Sequence, residues 1–224
     1  MCAAGEPPYP INIDLIIARF TRSRLDDSQV AVLLFGGRRA PWGLGALPVV
    51  DTGPDLDGLV GYRRIIVVGS HGDLAAVLTR LLREDRLDIE VAHVRRPWHG
   101  RRACNGAATR VPLIRDETGS VLTHVAYWLP QAGARKIRGE AVVDDAVLFD
   151  GAVTGVRIEP TAAMPGLRAS AGSGRWRPRR WVTGRAAQLG TAGALVVRDG
   201  KPAPRPVRRS TFYRHTQGWL RVGP

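Results

Sequence analysis

Five consecutive residues, Gly69-Ser70-His71-Gly72-Asp73, set a hydroxyl and an imidazole between two glycines and a carboxylate just after the second. They follow four β-branched residues, Ile65 to Val68, the run expected of a fully buried strand. Leu74, Val77, Leu78, Leu81 and Leu82 then recur at the spacing of one helix face. Strand, glycine turn and helix leave unpaired backbone N–H groups at the helix start, where an anion such as phosphate can sit. Gly69, Ser70, Gly72 and Asp73 are therefore the candidate ligand-binding residues. His71 could donate a charge-assisted hydrogen bond or carry a proton; its plainer role is a turn histidine bonded to backbone. Asp73 as a helix cap favours the helix by about 1 kcal/mol. Facing a phosphate about 5 Å away it would repel by roughly 3 kcal/mol at an effective dielectric near 20. The expectation is a cap, unless a cation bridges the two.

A second chemistry-bearing stretch is Arg175-Trp176-Arg177-Pro178-Arg179-Arg180-Trp181. Arginines interleaved with tryptophans suit lipid headgroups or stacked bases. They equally suit a hairpin whose indoles pack on a sheet while the guanidinium groups stay wet. Arg205 to His215 is a further basic stretch, expected as an edge strand kept soluble by charge. His93, His99, His124 and His215 show no metal-ligand spacing, so no metal site is expected. Cys2 and Cys104 are the only cysteines, too few for a disulfide framework or a cysteine-rich zinc site.

These groups need elements to hold them. Residues 1–10 read as a lead-in, and Ile11–Phe20 as an apolar segment of undecided type. Gln29–Phe35 and Leu47–Asp51 are predicted strands flanking a Gly, Arg, Pro and Trp-rich loop. Asp88–Val94 is the strand after the central helix, so residues 11–100 form an α/β unit with a parallel sheet. Arg95–Gly106 reads as a charged linker or functional loop. Beyond it, helix signals fade. Thr109–Arg115 and Val121–Trp128 flank Asp-Glu-Thr-Gly-Ser as a hairpin. Further strands are expected at 140–143, 153–159, 167–170, 181–189, 194–198 and 207–212, with turns at Asp150-Gly151, Pro165-Gly166 and Asp199-Gly200. Many short strands make residues 101–224 an antiparallel β-sandwich, whose last strand or tail could return to the first unit.

The 33 Lys and Arg against 20 Asp and Glu give a net charge of +13, almost all from arginine. That predicts attraction to nucleotides, anionic lipid or nucleic acid, although a high-GC codon bias would also enrich arginine. Neither a signal peptide nor an apolar run of membrane-spanning length occurs, so a cytoplasmic protein is expected, with peripheral membrane contact open.

An α/β half with a glycine turn, then a β half ending in Asp-Gly, resembles the diacylglycerol kinase and NAD kinase superfamily, nearest its bacterial lipid kinases. That family has Gly-Gly-Asp-Gly-Thr where this chain has Gly69-Ser-His-Gly-Asp73. Leu148-Phe-Asp-Gly-Ala-Val153 is similar to its Asp-Asp-Gly strand entry, and Val197-Arg-Asp-Gly-Lys201 to its Val-Asp-Gly-Glu. The resemblance implies ATP and Mg2+ as cofactors, a lipid substrate, and Asp199 with His71 as catalytic residues. It also exposes departures. His71 replaces the loop aspartate, Asp73 the loop threonine, and Lys201 the final acid. The family's Gly-Thr-Xaa-Asn-Asp segment is reduced at best to Ala103-Cys-Asn-Gly106. A lysine in place of a metal-organising acid does not fit an unchanged mechanism. Three functions follow as expectations: a divergent lipid kinase, a non-catalytic relative binding an anionic lipid or nucleotide, and a nucleic-acid binder.

Overall fold

The computed structural model describes residues 29–50, 58–172 and 180–223. Ile11–Phe20 and Arg175, Trp176, Arg177 and Arg179 lie outside the described residues.

The predicted strands of the first unit form at β1 (Val30–Leu34), β2 (Val49–Val50), β3 (Arg64–Val68) and β4 (Glu90–Val94). They pair in parallel in the order β2-β1-β3-β4. Every residue of β3 is buried, as its β-branched run requires. Helix α1 (His71–Arg83) connects β3 to β4 and buries Leu74, Val77, Leu78 and Leu81. This face packs against Ile65, Val67, Ile89 and Val91 in a single core. At about 25 cal/mol per Å2, each such leucine contributes roughly 2 kcal/mol by leaving water.

Arg95–Gly106 is not the open loop its charge pattern suggests. Residues 97–99 form a 3-10 turn that runs into helix α2 (Gly100–Asn105). A buried arginine explains this. Arg64, 4% exposed, donates to the carbonyls of Ala103, Cys104 and Gly106, satisfying the helix end, and pairs with Glu90.

Thr109–Arg115, expected as one strand, is two. β5 (Ala108–Val111) joins the first sheet and β6 (Ile114–Asp116) the second, with Pro112-Leu113 at the crossover. Asp116-Glu-Thr-Gly-Ser120 does turn β6 into β7 (Val121–Leu122). The expected strand 121–128 also divides, since β8 (Ala126–Pro130) begins only after residues 123–125 bend away. Next come β9 (Ile137–Val143), β10 (Ala146–Val153), β11 (Val156–Pro160), β12 (Leu167–Ala171) and β13 (Val182–Gly184). Asp150-Gly151 is not a turn: it lies inside β10, opposite Glu140 and Gly139. The chain reverses instead at Asp144-Asp145, where Asp144 has φ 50° and accepts from the N–H groups of Arg185 and Ala186.

The segments 181–189 and 194–198 contribute to one long strand, β14 (Ala186–Arg198), which slips register between Gly190 and Ala194. One half of β14 pairs with β9 and the other with β8, so the antiparallel half doubles over a shared strand. Trp128, Ile158, Leu167, Val196 and Phe212 fill its core. β15 (Lys201–Pro202) closes a hairpin on β14, and β16 (Val207–Arg214) lies between β14 and β6. The basic stretch 205–215 is therefore an interior strand rather than an edge. Ser210 and Phe212 face inward while Arg208 and Arg209 stay exposed. β17 (Trp219–Val222) inserts between β4 and β5 of the first sheet. Among the described residues there are thus a six-stranded, mostly parallel sheet and an eleven-stranded antiparallel one.

Candidate functional site

The N-terminus of α1 sits where the two sheets meet. Ser70 is its N-cap, in extended conformation (φ −79°, ψ 172°), and His71 is the first helical residue. Asp73 is a cap, as its residue type suggests, but from inside the first turn. Its Oδ2 accepts from Ser70 N at 2.8 Å, while Asp73 N donates to Ser70 Oγ at 3.2 Å. This reciprocal capping box engages the carboxylate with its own helix. Gly69 makes room for it: a Cβ there would lie 2.8 Å from Asp73 Oδ2. Gly72 lies under the Lys201 side chain, its Cβ position 3.1 Å from Lys201 Cε.

Asp199 arrives from the other sheet, on the two-residue turn between β14 and β15. Asp199 (φ 45°) and Gly200 (φ 87°) both occupy left-handed backbone, as a tight hairpin turn demands. Asp199 Oδ2 accepts from Thr123 N (2.8 Å), with Thr123 Oγ1 at 2.9 Å. Its Oδ1 accepts from the N–H groups of His124 and Val125, each at 2.9 Å. The single Thr123 hydroxyl proton is shared between Asp199 Oδ2 and the His71 carbonyl, 3.0 Å away, so the three backbone N–H groups are the fixed donors to the carboxylate. Asp199 therefore holds residues 123–125 in their bend.

That bend delivers His124 onto His71. The two rings stack at 4.2 Å and 13°, and His93 meets His71 edge-on at 5.0 Å. Arg95 Nη1 lies 3.1 Å from His71 Nε2. Arginine only donates, so Nε2 accepts and the His71 proton is assigned to Nδ1. Burial, first, and then the neighbouring His124, His93 and Arg95 push the His71 pKa down to about 4, against a weaker opposing pull from Asp199. His71 is thus neutral near pH 7. His93 Nε2 is 3.2 Å from the Gly69 carbonyl, and burial is the main cause of its lowered pKa.

His71 and Arg95 form a partition between two cavities. One, of about 450 Å3, is lined by Arg38, Gly69, Ser70, His71, Arg95 and Asp199, among others. The second, of about 540 Å3, adds His93, Arg96, His99 and Arg221 over a floor of Leu74 and Trp219, with no acidic residue in its lining. A third, of about 440 Å3, is lined by Gly72, Arg83, Arg198, Asp199 and Lys201, among others. Asp199 is the single acid in the lining of the first cavity.

The structure therefore brings Gly69, Ser70, His71, Gly72, Asp73 and Asp199 together. The Arg–Trp stretch lies mostly outside the described residues. Of that stretch only Arg180 and Trp181 are described; Arg180 is exposed, and the Arg168 guanidinium lies over the Trp181 ring at 4.4 Å. Sequence reasoning missed His93, Arg95, His124, Arg38 and Thr123. His93 and Arg95 sit at the carboxyl end of a parallel strand, where open α/β sheets bind ligands, and that rule could have found them. Nothing local marks His124, whose place depends on an aspartate 75 residues away.

Whether ATP with Mg2+ fits can be judged on these donors. Phosphate fits the cationic cavities. Magnesium prefers carboxylate oxygens and water, and here Asp73 caps a helix, Asp199 accepts from three backbone N–H groups, and Lys201 follows two residues on with a positive charge. Among the described residues no three His, Cys, Asp or Glu side chains are placed to hold a metal ion. The site does not fit a magnesium centre.

No family model matches this sequence, and no curated protein matches it. Comparison of the fold is informative. A diacylglycerol kinase from Bacillus anthracis superposes with a TM-score of 0.66 at 10% identity, covering 88% of this chain and 97% of that one. An NAD kinase from Archaeoglobus fulgidus, solved in complex with ATP, gives 0.59 at 13% identity, covering 87% and 93%. Yeast NADH kinase complexed with NADH gives 0.53 at 8% identity, covering 80% and 68%. The chain shares the two-part fold of these solved kinases, an α/β unit followed by an antiparallel β-sandwich, as the order of its motifs implied. Among the described residues no helix is long and apolar enough to cross a membrane.

Proposed function

We propose that this protein is a divergent relative of the diacylglycerol kinases that binds a phosphate-bearing ligand, a nucleotide or a lipid phosphate, in the cleft around His71 and Arg95, without a magnesium-assisted phosphotransfer step. The carrying observation is the 540 Å3 cavity lined by three arginines and three histidines and by no carboxylate. In the kinase mechanism the metal neutralises charge developing on the transferred phosphoryl group. Here fixed cations do the neutralising: Arg95, Arg96 and Arg221 line that cavity, and Arg38 lines the one beside it. Neutral His71 stays bonded to Arg95 and presents that guanidinium to the ligand. The superfamily fold supports the ligand class; the replaced acids weigh against the chemistry.

A thermal-shift titration with ATP in the presence of EDTA tests this. Wild-type protein should be stabilised without added metal, and Arg95→Gln should lose most of that shift. Stabilisation appearing only with Mg2+, together with transfer of phosphate to diacylglycerol, would restore the lipid-kinase reading. The alternative of an anionic-lipid or nucleic-acid module built on the Arg175–Trp181 stretch is distinguished by replacing Trp176 and Trp181. Loss of salt-sensitive DNA binding in that variant would favour it.

A further inference from the structure

Two tryptophans on the first sheet's side are left in water. Trp42 is 91% exposed and Trp98 69%. Neither rides on a slack loop. The turn bearing Trp42 is pinned by buried Pro41 and by Leu44, which is fully buried in the core. Leu44 N donates to the Pro41 carbonyl and Leu47 N to that of Leu44, each at 3.1 Å. Its backbone rests on Gly100 so closely that a Cβ there would lie 2.4 Å from the Trp42 carbonyl oxygen. Trp98 stands two residues before that same Gly100, at the head of the helix whose far end Arg64 holds. The fold thus fixes both indoles on adjoining rigid mounts and leaves them unburied.

Their surroundings carry one sign of charge. Residues 36–50 and 95–115 contain no aspartate or glutamate. Arg38, Arg39, Arg95, Arg96 and Arg101 are all exposed there, and Arg96 lies over the Trp98 ring at 5.5 Å. Arg38 and Arg95 also line the 450 Å3 cavity, and Arg95, Arg96 and His99 the 540 Å3 cavity, so the patch runs into the mouth of the cleft.

We propose that this face seats the protein on an anionic lipid bilayer, with Trp42 and Trp98 at headgroup depth, the arginines on lipid phosphates and the cleft opening onto the headgroup layer. Indoles favour the membrane interface, where the ring is shielded and its N–H stays wet. Basic residues beside them add attraction to anionic lipid. A base-stacking platform would need a ring braced on one side, and at 91% exposure Trp42 has no such backing. Phosphate in the cleft is not required for docking, so the two readings fail separately.

Sedimentation of the full chain with phosphatidylcholine vesicles containing about a third phosphatidylglycerol tests the face. Wild-type protein should pellet with these vesicles and not with pure phosphatidylcholine. Trp42→Ala with Trp98→Ala should weaken partitioning at least about tenfold while leaving the melting temperature unchanged, since both side chains are exposed. Arg39→Gln and Arg101→Gln should each weaken it about fivefold. Wild-type indifference to the anionic vesicles would overturn the proposal, as would a double tryptophan variant that binds them equally. So would a variant that keeps vesicle binding but loses an oligonucleotide, which would make this a nucleic-acid face. Vesicle binding alongside a failed ATP titration would retain the face and remove the cleft reading.

Discussion

Two aspartates meet at the cleft, and their partners differ in range. Asp73 bonds to Ser70, three residues earlier, and fixes the first turn of its own helix. Asp199 bonds to residues 123–125 and ties the β14–β15 turn to the bend that carries His124. The first is a local cap whose removal leaves the sheet and core intact. The second is a long-range clamp, and without it three backbone N–H groups lose their acceptor. In both, a carboxylate at a position resembling the kinase motifs accepts from backbone N–H groups.

Breaking the clamp should have the largest effect. Asp199→Ala should cost about 3 kcal/mol or more, read as a fall in melting temperature of roughly 6–12 °C. It should also release His124 from His71, seen as altered imidazole resonances in NMR. Asp73→Ala should cost only about 1 kcal/mol, and Ser70→Ala with Asp73→Ala should be less than additive, because the box is reciprocal. A loss at Asp73 equal to that at Asp199 would erase the distinction. The pH profile sharpens it further. His71, held near 4 when folded against about 6.5 unfolded, binds fewer protons in the native state between those values, so stability should rise with pH across that window. His93 shifts in the same direction and adds to the slope. His71→Gln should flatten the melting-temperature slope between pH 4 and 6.5 without abolishing it. Smallest of all, Lys201→Ala should leave stability within about 0.5 kcal/mol and change phosphate affinity less than Arg95→Gln does, since Lys201 lines a neighbouring cavity rather than the cleft around His71 and Arg95.

The legible parts of the sequence are those whose cause is local. Ile65–Val68, the leucine periodicity of α1 and the capping propensity of Asp73 each announce their element, because strand burial, helix amphipathicity and capping act within a few residues. Asp150-Gly151 misleads for the same reason: its turn propensity is real, but the ladder to Glu140 and Gly139 overrides it, and Asp144 makes the turn. Thr109–Arg115 gives no hint of its division, because each half has strand character and only the two sheets decide the break. Arg95–Gly106 lacks an amphipathic pattern, and its helix depends on Arg64, far earlier in the chain. Half the cleft was likewise hidden: the loop residues were readable, whereas Arg38, Arg95 and His124 converge only through sheet topology and the Asp199 clamp.

The most direct test of metal-free anion recognition is calorimetric titration of ATP into the wild-type chain, once with EDTA and once with excess Mg2+. The account predicts binding in EDTA at least as tight as with Mg2+, because Arg38, Arg95, Arg96 and Arg221 already supply the positive charge. Binding that requires Mg2+ would contradict it and return the site to a metal-dependent kinase.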